Sequence, residues 1–317
     1  MSLAIPNFFI VGAGKTGTTS LYEYLNQHPQ IYMSPVKEPC YFAPEIRGQN
    51  ITADLRTRLQ RQTRMLPKIL NDGAPVKPLG WIAEDWDDYL RLFRHVRDER
   101  AIGEASAAYL WSPTAAANIQ SKIPHARIVM ILRDPAERAF SQYLHQVSAG
   151  LTRATFRHHL DRCLREPHQK LSIYYPFLEA GLYAAQVQRF LDHFPRHQLR
   201  IYWYEEAWRD PPQLLRDLFQ FLEVDPAFQP DLSHKSLERR RPRFETAHYY
   251  LKKLNVWRPL GSVVPAALRG TIRTAAFRTG PSLKIDPADR QFLIDYYRPD
   301  IQRLSQLLDR DLSHWLK

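Results

Sequence analysis

The chain of 317 residues has only two cysteines, Cys40 and Cys163. This low number excludes a disulfide-rich secreted scaffold and a zinc site built from cysteine alone, and it fits a reducing compartment. No apolar run approaches the roughly 18 residues that a membrane-spanning helix needs. The apolar N-terminus lacks a basic leading region and a cleavage site, so it predicts a core strand rather than a signal peptide. We therefore expect a cytoplasmic protein without a membrane anchor.

Acidic residues are fewer than basic residues. The 44 lysines and arginines outnumber the 33 aspartates and glutamates, which leaves a net charge of +11. Such a charge favours an anionic ligand, an acidic polymer or a membrane surface, and does not choose among them. Because 44% of the residues are hydrophobic, a substantial core can form.

Three apolar runs predict buried strands, at residues 7–12, 127–132 and 199–204. Weaker candidates are 31–33 and 101–103. Helical spacing separates them, over 18–27 and from Pro135 to about residue 149. Strands alternating with helices predict an α/β fold, with a central parallel sheet flanked by helices on both faces.

We expect one domain over residues 1–317, with a basic surface insertion at 45–80. The polar stretch 229–245 predicts a loop. Residues 287–311 predict a long amphipathic helix that Pro299 kinks or divides in two.

Residues 12–20, GAGKTGTTS, lie between the first strand and the first helix. Gly12 and Gly17 have the spacing of a Walker A loop, but Thr18 stands at its lysine position and Lys15 lies three residues earlier. Converging backbone N–H groups and a helix N-terminus still favour an anion. The loop therefore suits a phosphate-like group other than the γ-phosphate of Mg-ATP.

The run GAGKTGTTSLYEYLNQHP resembles the phosphosulfate loop of sulfotransferases that use 3′-phosphoadenosine 5′-phosphosulfate (PAPS). The resemblance continues through SPVKEPCYF, GEASAAYLWSP, ILRDPAERAFSQYLH, YEEAWRDP and YRPDIQRLSQLLDRDLSHW. It is greatest with the bacterial and glycan-modifying branch, which includes the heparan sulfate N-sulfotransferases. It implies a P-loop-like three-layer fold, PAPS as co-substrate, adenosine 3′,5′-bisphosphate (PAP) as product, and no metal. It also implies a group of loop residues that hold the phosphosulfate: Gly14, Lys15, Thr16, Gly17, Thr18, Thr19 and Ser20.

A second anion site is predicted at the end of the strand 127–132. Arg133 follows that strand, and Ser141 lies eight residues later on the next helix. An arginine at a strand end can form a charge-assisted contact with phosphate. The resemblance implies that both residues bind the 3′-phosphate of PAPS. Arg138, between them, is expected to be a solvated helix residue.

Catalytic residues follow from the same resemblance. Glu38 of KEPCYF matches the carboxylate that removes the acceptor proton, although it could merely pair with Lys37. Lys15 is the candidate for stabilising the leaving PAP. His145 shares a helix face with Ser141 and matches a histidine near the transferred group, although an ordinary core or surface histidine is a serious alternative.

Acceptor and nucleotide contacts are predicted less directly. Lys37 and Glu104 are candidates for acceptor binding, but Lys37 could equally touch the cofactor and Glu104 could instead orient a neighbour. Ala105 stands where relatives often have lysine, which weakens the inference from polysaccharide enzymes. The basic run 235–243 matches the segment that closes over the nucleotide, so at least one of Arg239, Arg240 and Arg241 is expected to contact it.

Three functions compete at this point. The first is transfer of a sulfonate group from PAPS to a hydroxyl or amine of a glycan or small-molecule acceptor. The second is a P-loop nucleotide kinase or NTPase, which Thr18 argues against. The third is a basic nucleic-acid-binding protein, but no aromatic and basic binding motif supports it and we expect no nucleic acid partner.

Overall fold

A computed structural model describes residues 3–46, 50–52, 85–165, 170–173, 175–233, 240–242, 244–253, 277–279 and 283–317. Its strands are β1 (Phe8–Gly12), β2 (Ile31–Met33), β3 (Ala101–Ala105), β4 (Arg127–Leu132), β5 (Leu199–Trp203), β6 (Arg240–Pro242) and β7 (Phe277–Thr279). Its α-helices are α1 (Thr18–Leu25), α2 (Trp86–Arg91), α3 (Ala108–Trp111), α4 (Ala115–Lys122), α5 (Pro135–Ser148), α6 (Phe156–Arg165), α7 (Tyr183–His193), α8 (Tyr204–Ala207), α9 (Pro211–Phe221), α10 (Glu245–Lys253) and α11 (Pro287–Leu308).

A five-stranded sheet with the order β2-β3-β1-β4-β5 forms the centre of the fold. All four strand pairs within it are parallel. Every predicted strand is present, and β3 extends two residues beyond the predicted 101–103. The parallel α/β sheet predicted from the alternation of strands and helices is confirmed.

Both faces of the sheet are covered. Phe9 and Val11 of β1 pack into one apolar cluster, together with α7 and α11. Phe8 and Ile10, which point the other way because side chains alternate along a strand, pack against α1 and α9. This two-sided burial explains why the strands read as continuous apolar runs in the sequence.

Helix α5 begins and ends where its sequence signals lie. The Asp134 side chain accepts hydrogen bonds from the amides of Ala136 and Glu137, and Pro135 occupies the first turn. After Ser148 the chain turns at Gly150, which has a φ of +67°. These features fix α5 beside the end of β4.

Arg138 is a correction to the sequence analysis. It is buried rather than solvated, with 1% of its surface exposed. Its guanidinium donates to the Phe177 carbonyl and to the side chain of Gln142 on the same helix, and these bonds offset the cost of burying the charge.

Other expectations need smaller changes. The C-terminal residues form a single helix, α11, with Pro299 inside it, which is one of the two predicted alternatives, and it ends at Leu308 rather than at 311. Part of the predicted loop 229–245 forms β6, which pairs antiparallel with β7. Most of the predicted insertion 45–80 lies outside the described residues. In the described part of the chain, no helix is both long and apolar enough to cross a membrane.

Candidate active site

The loop between β1 and α1 is held at the carboxyl end of the sheet by one hydrogen bond to β4 and one within the loop. The Ala13 amide donates to the Ile131 carbonyl at 2.8 Å, and the Thr16 hydroxyl donates to the Ala13 carbonyl at 2.7 Å. Helix α1 then begins at Thr18, with no hydrogen bond from a side chain to cap it. Its first amides and the half-buried Thr19 and Ser20 remain at the rim of the loop.

Two residues of the loop adopt left-handed backbone. Gly17 has a φ of +84° and Lys15 a φ of +73°. A Cβ atom at position 17 would lie 2.5 Å from Cζ2 of Trp208, so only glycine fits there. The Trp208 indole also donates to the Thr16 carbonyl at 3.0 Å. Trp208 therefore supports the loop from the side of β5 and α8.

Arg133 lies directly beside this loop. It follows β4, the neighbour of β1, and is 7% exposed. Its Nη1 lies 3.4 Å from the Lys15 carbonyl oxygen, and its Nη2 lies 3.2 Å from the Glu137 carboxylate. The guanidinium also sits over the ring of Tyr204, 4.5 Å from the centroid. Arg133 and the loop are therefore in contact, while their binding of phosphate groups stays a prediction.

Glu38 lies after β2, at the same edge of the sheet. Its Oε2 accepts a hydrogen bond from the Ala107 amide at 3.0 Å, just before α3. Its Oε1 lies 3.3 Å from Nζ of Lys37. A quarter of the Glu38 side chain is exposed, whereas Lys37 is largely buried at 7%. The carboxylate is held by the protein and still reaches solvent.

Glu104 is fully buried at 0% exposure, in β3. Its carboxylate accepts hydrogen bonds from the hydroxyls of Tyr89 at 3.2 Å, Tyr109 at 2.6 Å and Ser106 at 2.6 Å. Burial raises its pKa to about 7, although the three hydroxyls oppose this rise by stabilising the charged form. This placement favours the orienting role over direct contact with an acceptor.

Ser141 and His145 both lie on α5, as the sequence predicts. Ser141 is half-buried and His145 is exposed. His145 is ten residues beyond Pro135, which corresponds to about 15 Å along a helix. Its part in catalysis stays a prediction.

Of the three arginines of the basic run, only Arg240 and Arg241 are among the described residues. Arg239 lies outside the described residues. The backbones of Arg240 and Arg241 are in β6, opposite Thr279 and Arg278 of β7.

The sheet brings most predicted residues to one edge, because parallel strands all end on the same side. The loop 12–17 follows β1, Glu38 follows β2, Glu104 lies at the end of β3 and Arg133 follows β4. The exposed His145 is further along α5.

Sequence reasoning missed three contributors to this edge. Trp208 supports the loop, Glu137 pairs with Arg133, and Ser106 bridges Glu104 and the Cys40 amide. Trp208 stood within the quoted run YEEAWRDP and Ser106 within GEASAAYL. Trp208 meets Thr16 across 192 positions and Ser106 meets Cys40 across 66, so no local pattern identified these two contacts. The pair of Arg133 and Glu137 has i,i+4 spacing at the start of α5, which is a local signal that could have found it.

Comparison with known proteins identifies the class. The profile of the Sulfotransferase family matches residues 6–230. The chain belongs to this family, which confirms the resemblance, and the alternative of a kinase or NTPase is not favoured.

Individual relatives agree with this assignment. A solved structure of a sulfotransferase from Alicyclobacillus acidocaldarius is 33% identical, with a TM-score of 0.72, and the match covers 99% of this chain and all of that one. Human carbohydrate sulfotransferase 15 is 24% identical over 98% of this chain and 54% of its own length. Human bifunctional heparan sulfate N-deacetylase/N-sulfotransferase 3 is 27% identical over 99% of this chain and 31% of its own. The chain thus spans about half, or less, of these curated relatives.

Proposed function

We propose that this protein transfers a sulfonate group from PAPS to a hydroxyl or amine of an acceptor and releases PAP. The observation that carries the proposal is the contact between the two elements that we assign to anion binding. The loop 12–17 and Arg133 end neighbouring strands, and Arg133 Nη1 lies 3.4 Å from the Lys15 carbonyl oxygen. A nucleotide with a 5′-phosphosulfate and a separate 3′-phosphate presents anions to both.

The residues fit such a nucleotide. The first amides of α1 have no side-chain cap, so they can donate to the phosphosulfate together with Gly14, Lys15, Thr18, Thr19 and Ser20. The buried Nε of Arg133 has no hydrogen-bond partner among the described residues, and an anion would satisfy it. Ser141 and the arginines at 239–241 are assigned to the 3′-phosphate end.

Glu38 is assigned as general base. As the acceptor oxygen or nitrogen forms its bond to sulfur, its proton passes to the Glu38 carboxylate. The bond from sulfur to the bridging oxygen breaks, and that oxygen leaves with PAP. Lys15 stabilises the charge that develops there. The Ala107 amide orients Glu38 at 3.0 Å, and Lys37 lies beside it at 3.3 Å for contact with the acceptor.

The acceptor is assigned to the carbohydrate class. The names of the human relatives refer to carbohydrate and to heparan sulfate, and the net charge of +11 suits an anionic glycan. A cytoplasmic location is also part of the proposal. A relative from Dictyostelium discoideum is named a membrane-associated sulfotransferase, so fractionation of cells is the direct check.

A screen with radiolabelled PAPS tests the function. Purified protein is incubated with a panel of glycans and small hydroxyl and amine compounds, with Glu38→Gln as the matched inactive control. Label should transfer to at least one acceptor with the native protein and not with the variant. Turnover of Mg-ATP without any use of PAPS would contradict the proposal and favour the kinase.

A further inference from the structure

Glu104 is a buried carboxyl group that the proposed reaction does not use. It lies one strand away from the loop 12–17, in β3, and 0% of it is exposed. A buried carboxylate is costly unless hydrogen bonds compensate it. Three hydroxyl donors do so here, which is the pattern of an ionised carboxylate that only accepts.

Two of these three hydroxyls also contact the segment that carries Glu38, which we define as residues 36–43. The Ser106 hydroxyl oxygen accepts a hydrogen bond from the Cys40 amide at 3.0 Å. The Tyr109 hydroxyl oxygen accepts one from the Phe42 amide at 3.3 Å. Each hydroxyl has a single proton. Because the hydroxyl donates that proton to Glu104, the lone pairs of its oxygen are left to accept hydrogen bonds from the amides of the segment.

The Ala107 amide stands between these two residues in the chain and donates to Glu38 itself at 3.0 Å. The positions of Ser106 and Tyr109 therefore set the position of the group that orients Glu38. We propose that Glu104 is a positioning residue that acts through Ser106 and Tyr109 to fix the segment 36–43, and with it the Glu38 carboxylate. The catalytic part of this inference rests on the proposed function.

The third hydroxyl supplies a matched control. Tyr89 donates to the same carboxylate, but no amide of residues 36–43 donates to its hydroxyl in the described part of the chain. Its ring stacks on Tyr41 at 4.8 Å between centroids, and phenylalanine would keep that contact. Removal of this hydroxyl costs Glu104 one hydrogen bond without breaking the link to the segment.

Hydrogen exchange of a peptide covering residues 36–43 tests the link without any substrate. The experiment is run at about pH 8, where the Glu104 carboxylate is ionised. The Cys40 or Phe42 amide should exchange about tenfold faster than in the native protein in each of three variants, Ser106→Ala, Tyr109→Phe and Glu104→Gln. Tyr89→Phe should exchange at the native rate. Ser106→Thr, which keeps the hydroxyl, should restore protection. Equal exchange in Ser106→Ala, Tyr109→Phe and the native protein would overturn the inference.

Kinetics give the second readout. Ser106→Ala and Tyr109→Phe should lower kcat about tenfold and leave the affinity for PAP unchanged, whereas Tyr89→Phe should keep the native kcat. An equal loss of kcat in all three variants would mean that Glu104 only stabilises the fold. Should the native protein not use PAPS at all, the proposed function fails, while the exchange experiment still decides the structural link. If Glu104→Gln does not fold, the two hydroxyl variants carry the test.

Discussion

The guanidinium of Arg133 lies 3.2 Å from the carboxylate of Glu137, one helical turn along α5. The other oxygen of that carboxylate lies 3.8 Å from Arg290, which also pairs with Asp134 at 2.9 Å. Glu137 thus provides a negative charge beside the arginine that we assign to the 3′-phosphate. A 3′-phosphate bound as proposed would have to share Arg133 with this internal partner.

Replacing Glu137 by glutamine should strengthen PAP binding. The substitution removes a negative charge near the phosphate but keeps an acceptor for Arg133. Because 42% of the Glu137 side chain is exposed, solvent screens the effect. We expect a gain of about two- to fivefold in affinity by calorimetry.

The control for Glu137 is Glu223→Gln, which removes the same charge elsewhere. Glu223 pairs with Arg127, at the opposite end of β4 and about 20 Å from Arg133 along the strand. The Glu223→Gln variant should bind PAP with the same affinity as the native protein. Weaker binding of PAP by Glu137→Gln would show that the carboxylate helps to place Arg133 rather than competing for it.

Glu38 and Lys15 should respond differently to substitution. Glu38→Gln keeps the size of the side chain and removes the proton acceptor, so turnover should fall by about 10²–10⁴ with PAP affinity nearly constant. Lys15→Ala should lower turnover and also weaken nucleotide binding, since its charge meets both ground and transition states. Near-native turnover by Glu38→Gln would remove this residue from the mechanism and make His145 the next base to test.

Folding of the loop should depend on Gly17. Gly17→Ala should lower the free energy of unfolding by about 2 kcal/mol or more, because alanine disfavours the left-handed backbone and its Cβ would meet Trp208. Gly14→Ala is the matched control, since nothing lies within 4 Å of a Cβ there. Its change should stay below about 0.5 kcal/mol in denaturant unfolding. Equal losses in the two variants would contradict the packing of Trp208 on the loop.

Stability should depend on pH through Glu104. Burial raises its pKa from 4.5 in the unfolded chain to about 7 in the fold. Between these values the folded protein holds a proton that the unfolded chain has released, so its contribution to stability falls as pH rises. The stability of the native protein relative to Glu104→Gln should therefore decrease from about pH 5 to about pH 8 in denaturant unfolding. Parallel curves for the two proteins would contradict this.

Local signals in the sequence predicted the sheet and α5 well. The strands β1 and β4 are buried on both faces, so each is a continuous apolar run. Asp134, Pro135 and Gly150 mark the ends of α5 because capping and left-handed turns depend on single residue types. Order along the chain and the rule that parallel strands end together were enough to place the loop 12–17, Glu38 and Arg133 at the same end of the sheet.

Contacts between residues distant in the chain could not be predicted from the sequence. Arg138 looks like a surface residue until Phe177, 39 positions later, accepts its hydrogen bond. Trp208 meets Thr16 across 192 positions. The burial of Glu104 depends on hydroxyls from both α2 and α3. Such pairings are set by tertiary packing, and no pattern within one segment encodes them.

The measurement that tests the account most directly is a calorimetric comparison of PAP with 5′-AMP, which differ by the 3′-phosphate. The native protein should bind PAP far more tightly. In Arg133→Ala the affinity for PAP should fall by about 2–3 kcal/mol, while Arg127→Ala, at the other end of β4, should bind like the native protein. Equal affinity of the native protein for PAP and 5′-AMP would contradict the second anion site and the choice of PAPS as the sulfonate donor.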